Sequence, residues 1–238
     1  MDKQETNSIN TSNKKGILLD LTIYILVMFL IREVSIPNAS FLVTGIFWSI
    51  TTFIVASWRM KVRGISWKDI GLKKPKNLKK TFLIATLILF ATVISLVIFN
   101  ILIDKIPFLA ELLSETESSS ESSPSKFGDL KGNWLLLFGI IPIVLLESFL
   151  EELLDRGFLI SWFEKLFSST SYATVIAVIL QAAIFGFRHS YDLSERSITV
   201  GIIGLIMGIA YIVGGRNLWA LIIAHCVLNT ISMTERVI

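Results

Sequence analysis

Two histidines and a short run of acids are the residues of this 238-residue chain whose types and spacing could do chemistry. The acids lie in Glu147-Ser-Phe-Leu-Glu151-Glu152-Leu-Leu-Asp155-Arg156-Gly157, the first histidine ends Phe185-Gly-Phe-Arg-His189, and the second opens His225-Cys-Val-Leu-Asn229. All three segments sit in long apolar runs, where an ionisable group costs several kcal/mol unless it is paired or used. On a helix Glu152 faces Arg156 one turn on, and Glu147, Glu151 and Asp155 form a second stripe about 100° around. A buried ion pair that orients helices accounts equally well for Glu152 and Arg156 alone. It leaves Glu151 over, with the character of a general base.

His225 and Asn229 are one helical turn apart and aim an imidazole and a carboxamide the same way. Either histidine alone reads as a hydrogen-bonded core residue; both on apolar helices, one with an amide partner, read as a site. Amide hydrolysis needs an activated water, donors for the oxyanion and a proton for the leaving amine. Glu151 and His189 could hold and deprotonate the water, while His225 and Asn229 donate to the oxyanion. The same Glu151, His189 and His225 are also a ligand set for catalytic zinc or another divalent metal. The spacing leaves both chemistries open, since the HExxH pattern of soluble zinc proteases is absent. Cys226 as a nucleophile is the weakest option, because side chains at adjacent helical positions diverge from each other.

The elements that must position these groups are membrane helices. The chain is 53% hydrophobic and 17% charged, with a formal charge of +3, which excludes an ordinary soluble domain and a continuous basic face for nucleic acid. An all-α, polytopic bundle of about seven transmembrane helices is expected, with apolar runs near 17–31, 40–58, 81–103, 137–166, 172–188, 197–214 and 217–233. Residues 1–15 read as a polar cytoplasmic tail, residues 16–133 as the N-terminal helices and residues 134–238 as the catalytic core. The segment 59–80 carries nine Lys and Arg against Asp69 alone, which places it in the cytoplasm, against anionic lipid headgroups, and puts the N-terminus inside. The Glu- and Ser-rich segment 104–133 reads as a disordered external loop. The fourth run is taken as one helix from about Pro142 to Phe167, with its charges mid-span. Gly204 and Gly208 have the spacing that lets a neighbouring helix approach. Counting about 1.5 Å per residue, Glu151 and His189 lie level, roughly 26 Å from the turn they share, whereas His225 and Asn229 come only about 12 and 18 Å beyond Asn217.

Glu151-Glu152-x-x-x-Arg156, Phe185-x-x-x-His189 and His225-x-x-x-Asn229, in that order on successive apolar helices, resemble the three motifs of the CPBP family, the CAAX-protease and bacteriocin-processing intramembrane endopeptidases formerly called Abi proteins. The resemblance covers roughly residues 134–232. It implies a helical membrane core, in a plasma membrane of bacterial type, that hydrolyses peptide bonds of membrane-anchored proteins or amphipathic peptides. On that reading Glu151 and His189 activate water, His225 and Asn229 form the oxyanion hole, and Glu152 and Arg156 support the site; both metal-assisted and glutamate-only mechanisms are argued for the family. Asp155 departs from the pattern, since the family usually has an apolar residue there, often Phe. Two other functions fit the same residues: a membrane protein that binds peptide or lipid without cutting it, and a proton-coupled transporter. The lack of internal repeats weighs against the transporter.

Overall fold

The computed structural model of the chain describes residues 3–106, 130–191 and 194–238; most of the Glu- and Ser-rich segment 104–133 therefore lies outside the described residues. The described residues form seven helices and no strand. Helix α1 is Lys3–Leu30, α2 Phe41–Val62, α3 Leu78–Lys105, α4 Trp134–Leu166, α5 Ala173–Ser190, α6 Glu195–Val213 and α7 Leu218–Glu235. Helices α2 to α7 are each long and apolar enough to cross a membrane, which makes this a multi-pass membrane protein. Their outer faces carry large apolar side chains in the open, among them Phe82, Leu83, Phe90 and Ile94 on α3, as a lipid-facing surface requires.

Helix α1 begins at Lys3, so the helix extends back through the polar N-terminal stretch. Its apolar part, residues 16–30, spans about 22 Å and contains Asp20, which is fully buried. Asp20 accepts from Arg59 and, at 2.7 Å, from Arg63 at the end of α2, and from Trp162 Nε1 on α4 at 3.2 Å. At the other end Arg32 donates to the Arg188 carbonyl and lies over the Trp48 and Tyr191 rings, 5.1 and 4.8 Å from their centroids. Thus α1 runs the length of α2 and is pinned at both ends by arginines. Removing the carboxylate strands the buried Arg59, so Asp20→Ala is expected to destabilise the fold by about 3–5 kcal/mol, read as a drop in the thermal midpoint in detergent. A midpoint shift under about 2 °C would show that the pair contributes little.

Helix α4 is continuous from Trp134 to Leu166, extending eight residues ahead of the start expected at Pro142. Pro142 lies inside the helix and is exposed. The part from Glu152 to Leu159 is wound as a π-helix, and all eight of its residues are buried. A wider turn of this kind re-aims side chains and is found mostly at functional sites. Here it lets Glu152, Asp155 and Arg156 all face the protein interior.

Helices α5 and α6 meet backbone to backbone. A Cβ on Gly186 would run into the Ser197 carbonyl and come within 2.9 Å of Gly201 Cα, while Gly204 and Gly208 lie against Phe185 and Val178. The glycine spacing in α6 is therefore a packing surface, and it fixes the stretch of α5 that carries Phe185 and His189. Gly186→Leu is expected to push α6 away and to lower the thermal midpoint by several degrees, a loss that Gly186→Ala should show in smaller measure.

Candidate functional site

The His189-bearing end of α5, the middle of α4 and the first half of α7 converge on Glu151. His189 Nε2 is 3.8 Å from Glu151 Oε1, and His225 Nε2 is 3.7 Å from Glu151 Oε2. Each carboxylate oxygen thus faces one imidazole, at a separation too long for a direct hydrogen bond. Glu151 is about a fifth exposed, at 21% of its side chain, so the group is reachable although it sits mid-helix.

The tautomers follow from the partners. His189 Nδ1 lies 2.6 Å from the Phe185 carbonyl oxygen, which can only accept, so Nδ1 carries the proton and Nε2 turns a lone pair toward Glu151. His225 Nδ1 lies 2.7 Å from Glu152 Oε1, and the carboxylate likewise holds a proton on that nitrogen. Glu152 Oε1 also accepts from Arg156 Nη1 at 3.0 Å, with both side chains fully buried. Arg156 lies 4.2 Å above the centre of the Phe185 ring, a favourable place for a buried guanidinium. Glu152 and Arg156 therefore orient His225 through a chain of charge-assisted bonds, the arrangement that also positions metal-bound and catalytic imidazoles.

Asn229 is placed less centrally than the other three. Its amide donates to Ser148 Oγ at 2.8 Å, and the Ser148 hydroxyl donates to the Val144 carbonyl at 2.8 Å. Ser148 precedes Glu152 by one turn of α4, as Asn229 follows His225 by one turn of α7, so the two helices are joined by two rungs. Ser148 holds the carboxamide in place and leaves its second N–H available. Cys226 has no histidine partner; its thiol lies 3.9 Å from the Leu145 carbonyl.

The depth mismatch expected for α7 is resolved by the segment that follows α2. Gly157 abuts Leu218, the first residue of α7, and Ile70, and a Cβ there would come within 3.3 and 3.2 Å of them. Gly157 stands about 14 Å up α4 from Leu166, so α7 starts inside the bundle. Residues 65–72 fill the space below it. Leu218 N donates to Gly71 O at 3.3 Å, Tyr211 Oη donates to Ile70 O at 2.7 Å, and Trp67 stacks on Phe53 at 5.0 Å. Within this segment Asp69 accepts from the Ser66 hydroxyl at 2.6 Å and its N–H at 2.8 Å, bonds that hold the Asp69 carboxyl below the usual carboxylate range. The raised start brings His225 level with Glu152.

Arg188 completes the cluster, and its role does not appear in the motifs. Its Nη2 lies 3.1 Å from Glu151 Oε1 and 2.7 Å from Asp155 Oδ2. An arginine inside a span requires a counter-charge, and Asp155, the acid that departs from the family pattern, is the signal that could have identified it. Glu147 lies one turn from Glu151 against Gly45 of α2, where a Cβ would come within 2.6 Å of Oε1.

Glu151, His189 and His225 have the donor chemistry of a metal centre, but their disposition does not fit one. Arg188 already occupies a lone pair of Glu151 with a fixed positive charge, which repels a cation at that place. Among the described residues no three of His, Cys, Asp and Glu are grouped to hold a metal ion.

No curated protein and no solved structure matches the chain. A family model does match, that of the type II CAAX prenyl endopeptidases, Rce1-like, over residues 133–231. That stretch is the one that supplies Glu151, His189, His225 and Asn229 and the rungs that hold them, so the part of the chain that carries the site is similar to the Rce1-like type II CAAX prenyl endopeptidases, consistent with the CPBP motifs.

Proposed function

We propose that the protein is an intramembrane endopeptidase in which Glu151 activates water, without a metal, against peptide bonds of membrane-anchored proteins or amphipathic peptides. The observation that carries this reading is the pair of gaps on either side of Glu151. A carboxylate oxygen and an imidazole lone pair 3.8 Å apart are separated by the span that one water bridges, donating to both. The water oxygen attacks the scissile carbonyl carbon as its proton passes to Glu151. The carbonyl oxygen becomes an oxyanion, which Asn229 meets with its free N–H and His225 meets with a proton on Nε2. A second proton on His225 is compensated by Glu152, which already holds Nδ1. The C–N bond then breaks as Glu151 returns its proton to the departing nitrogen, leaving a carboxylic acid and an amine, and the acid's proton passes to the amine to give the carboxylate and ammonium products.

The cytoplasmic placement of the basic segment 59–80 belongs to the same reading. With that segment inside and the apolar part of α1 crossing beside α2, the N-terminus is cytoplasmic, and α4 and α5 bring Glu151 and His189 into the hydrocarbon layer from the cytoplasmic turn at 167–172. Substrates anchored by a lipid chain or an apolar helix reach a site at that depth without leaving the bilayer.

The test uses purified protein in detergent with two probes, a farnesylated peptide ending in a CAAX sequence and an unprenylated amphipathic helix, and identifies products by mass spectrometry. Cleavage at one bond that survives treatment with a divalent-metal chelator is the expected result. Retention of a probe without any cut would turn the reading to a binding protein on the same scaffold, and loss of cleavage on chelation would overturn the metal-free mechanism.

A further inference from the structure

Asp155 and Arg188 form a bond across α4 and α5 that the three motifs leave without a purpose. Both are buried, at 0% and 11% side-chain exposure, and the bond between them, at 2.7 Å, is shorter than the 3.1 Å from the same nitrogen of Arg188 to Glu151. Asp155 Oδ1 and Arg188 Nε are buried without a hydrogen-bond partner, so the contact runs through Oδ2 and Nη2. Arg188 also lies 5.3 Å from the Phe185 ring centre, on the ring that Arg156 covers at 4.2 Å.

Each member alone would harm Glu151. Arg188 without Asp155 keeps Glu151 as its bonded carboxylate, and arginine and carboxylate close into a two-pronged pair that takes up both oxygens. Asp155 without Arg188 is a second buried acid one turn from Glu151, and the remaining buried cation, Arg156, is already bonded to Glu152. Together they give Glu151 one bond from a shared guanidinium, at Oε1, and leave that oxygen's other lone pair toward His189 and Oε2 toward His225.

We infer that Asp155 and Arg188 are a coupled positioning pair, in which Asp155 draws Arg188 aside so that Glu151 keeps a compensating charge and, on Oε1, a lone pair free for the water beside His189. The inference rests on the proteolytic reading above for its effect on rate, and on the geometry alone for the coupling. Neither residue touches the reacting atoms; both act through Glu151.

The pair is tested with Asp155→Asn, Arg188→Gln and the double variant, and in parallel with Asp155→Leu, Arg188→Leu and their double. On the farnesylated CAAX peptide each single change is expected to lower kcat by about a hundredfold with KM held within about twofold. The double variants are expected to recover most of that loss, because removing both partners removes both the competitor and the uncompensated acid. Losses that multiply in the double, or that fall on KM, would overturn the inference. The thermal midpoint in detergent is read on the same proteins: each single change is expected to lower it by about 10 °C, and the double by less than either. Additive falls in midpoint would again overturn the pairing. If a single variant fails to accumulate, recovery in its double supports the pair and failure of both defeats it. A wild-type protein that cuts neither probe sinks the proteolytic reading, while the midpoint cycle still decides whether the two residues act as one.

Discussion

Glu151→Gln is expected to abolish cleavage, lowering kcat by about a thousandfold or more, while the protein still accumulates in the membrane with an unchanged thermal midpoint. The substitution is close to isosteric. The Gln oxygen can still accept from Arg188, and the amide can still fill the space between His189 and His225. It cannot take a proton from water, and its N–H, in the place of Oε2, would face the protonated His225 Nε2 that the mechanism needs for the oxyanion. The measurement is steady-state hydrolysis of whichever probe the wild type cuts, with folded protein quantified in parallel. A variant that keeps more than about a tenth of the wild-type rate would remove Glu151 from the role of base. His189→Ala bears on the same water from the other side, but His189 is hydrogen-bonded to its own helix, and no other helix depends on it for a bond.

The second large effect is expected at Glu152, and it falls on folding as well as on rate. Its Oε1 holds both Arg156 and His225, and all of these side chains are buried. Glu152→Ala leaves a buried guanidinium without its bonded carboxylate, which costs about 3–5 kcal/mol, and frees the His225 ring to turn. A fall of the order of 10 °C in thermal midpoint is expected, together with loss of cleavage in whatever fraction remains folded. Glu152→Gln keeps an acceptor for His225 and Arg156 but not the charge, so it should recover much of the stability and little of the rate. Equal rates for Glu152→Gln and the wild type would show that the carboxylate orients His225 without compensating a charge on it.

These two residues also show where the site was legible. Glu151 and Glu152 announced themselves because carboxylates in an apolar run demand a reason, and the i, i+4 offset of Glu152 and Arg156 is a local geometry that a helix imposes without help from the rest of the chain. His189 could be placed level with Glu151 by counting residues back to a shared turn, since both helices run straight from it. His225 could not be placed that way. Its height depends on Leu218 starting beside Gly157, which in turn depends on residues 65–72 folding up beneath α7; those residues are more than 140 positions away, and nothing in their composition marks them as a plug. Ser148 was overlooked because a lone Ser in a span ordinarily bonds its own helix, as this one does to Val144; only the approach of Asn229 gives it a second task.

The π-helical segment is the clearest case of a local feature that local rules do not give. Read as an α-helix, residues 152–159 would turn one side to lipid, and one of the charged groups would have to follow. In the fold every one of them is buried, because α1, α5 and α7 close around the segment and the wider winding lets successive charges all face them. The energy that favours this is tertiary: the bonds from His225 and Arg188 exist only when α7 and α5 are in place.

What the sequence determined by itself is the class of structure and the chemistry. Long apolar runs compel helices, because backbone groups in hydrocarbon have no other partners, and acids and histidines in those runs compel a polar site. What only the tertiary structure decided is how those groups are shared out. Arg188 could be read as a stray charge and Asp155 as a departure from a pattern until α4 and α5 were packed together, when each became the other's partner and both became neighbours of Glu151. Pairing between helices depends on relative height and rotation, and these are set by contacts such as Gly186 on Ser197 and Leu218 on Gly157 that join residues distant in sequence. Composition and spacing carry no record of such contacts; the close-packed interior does.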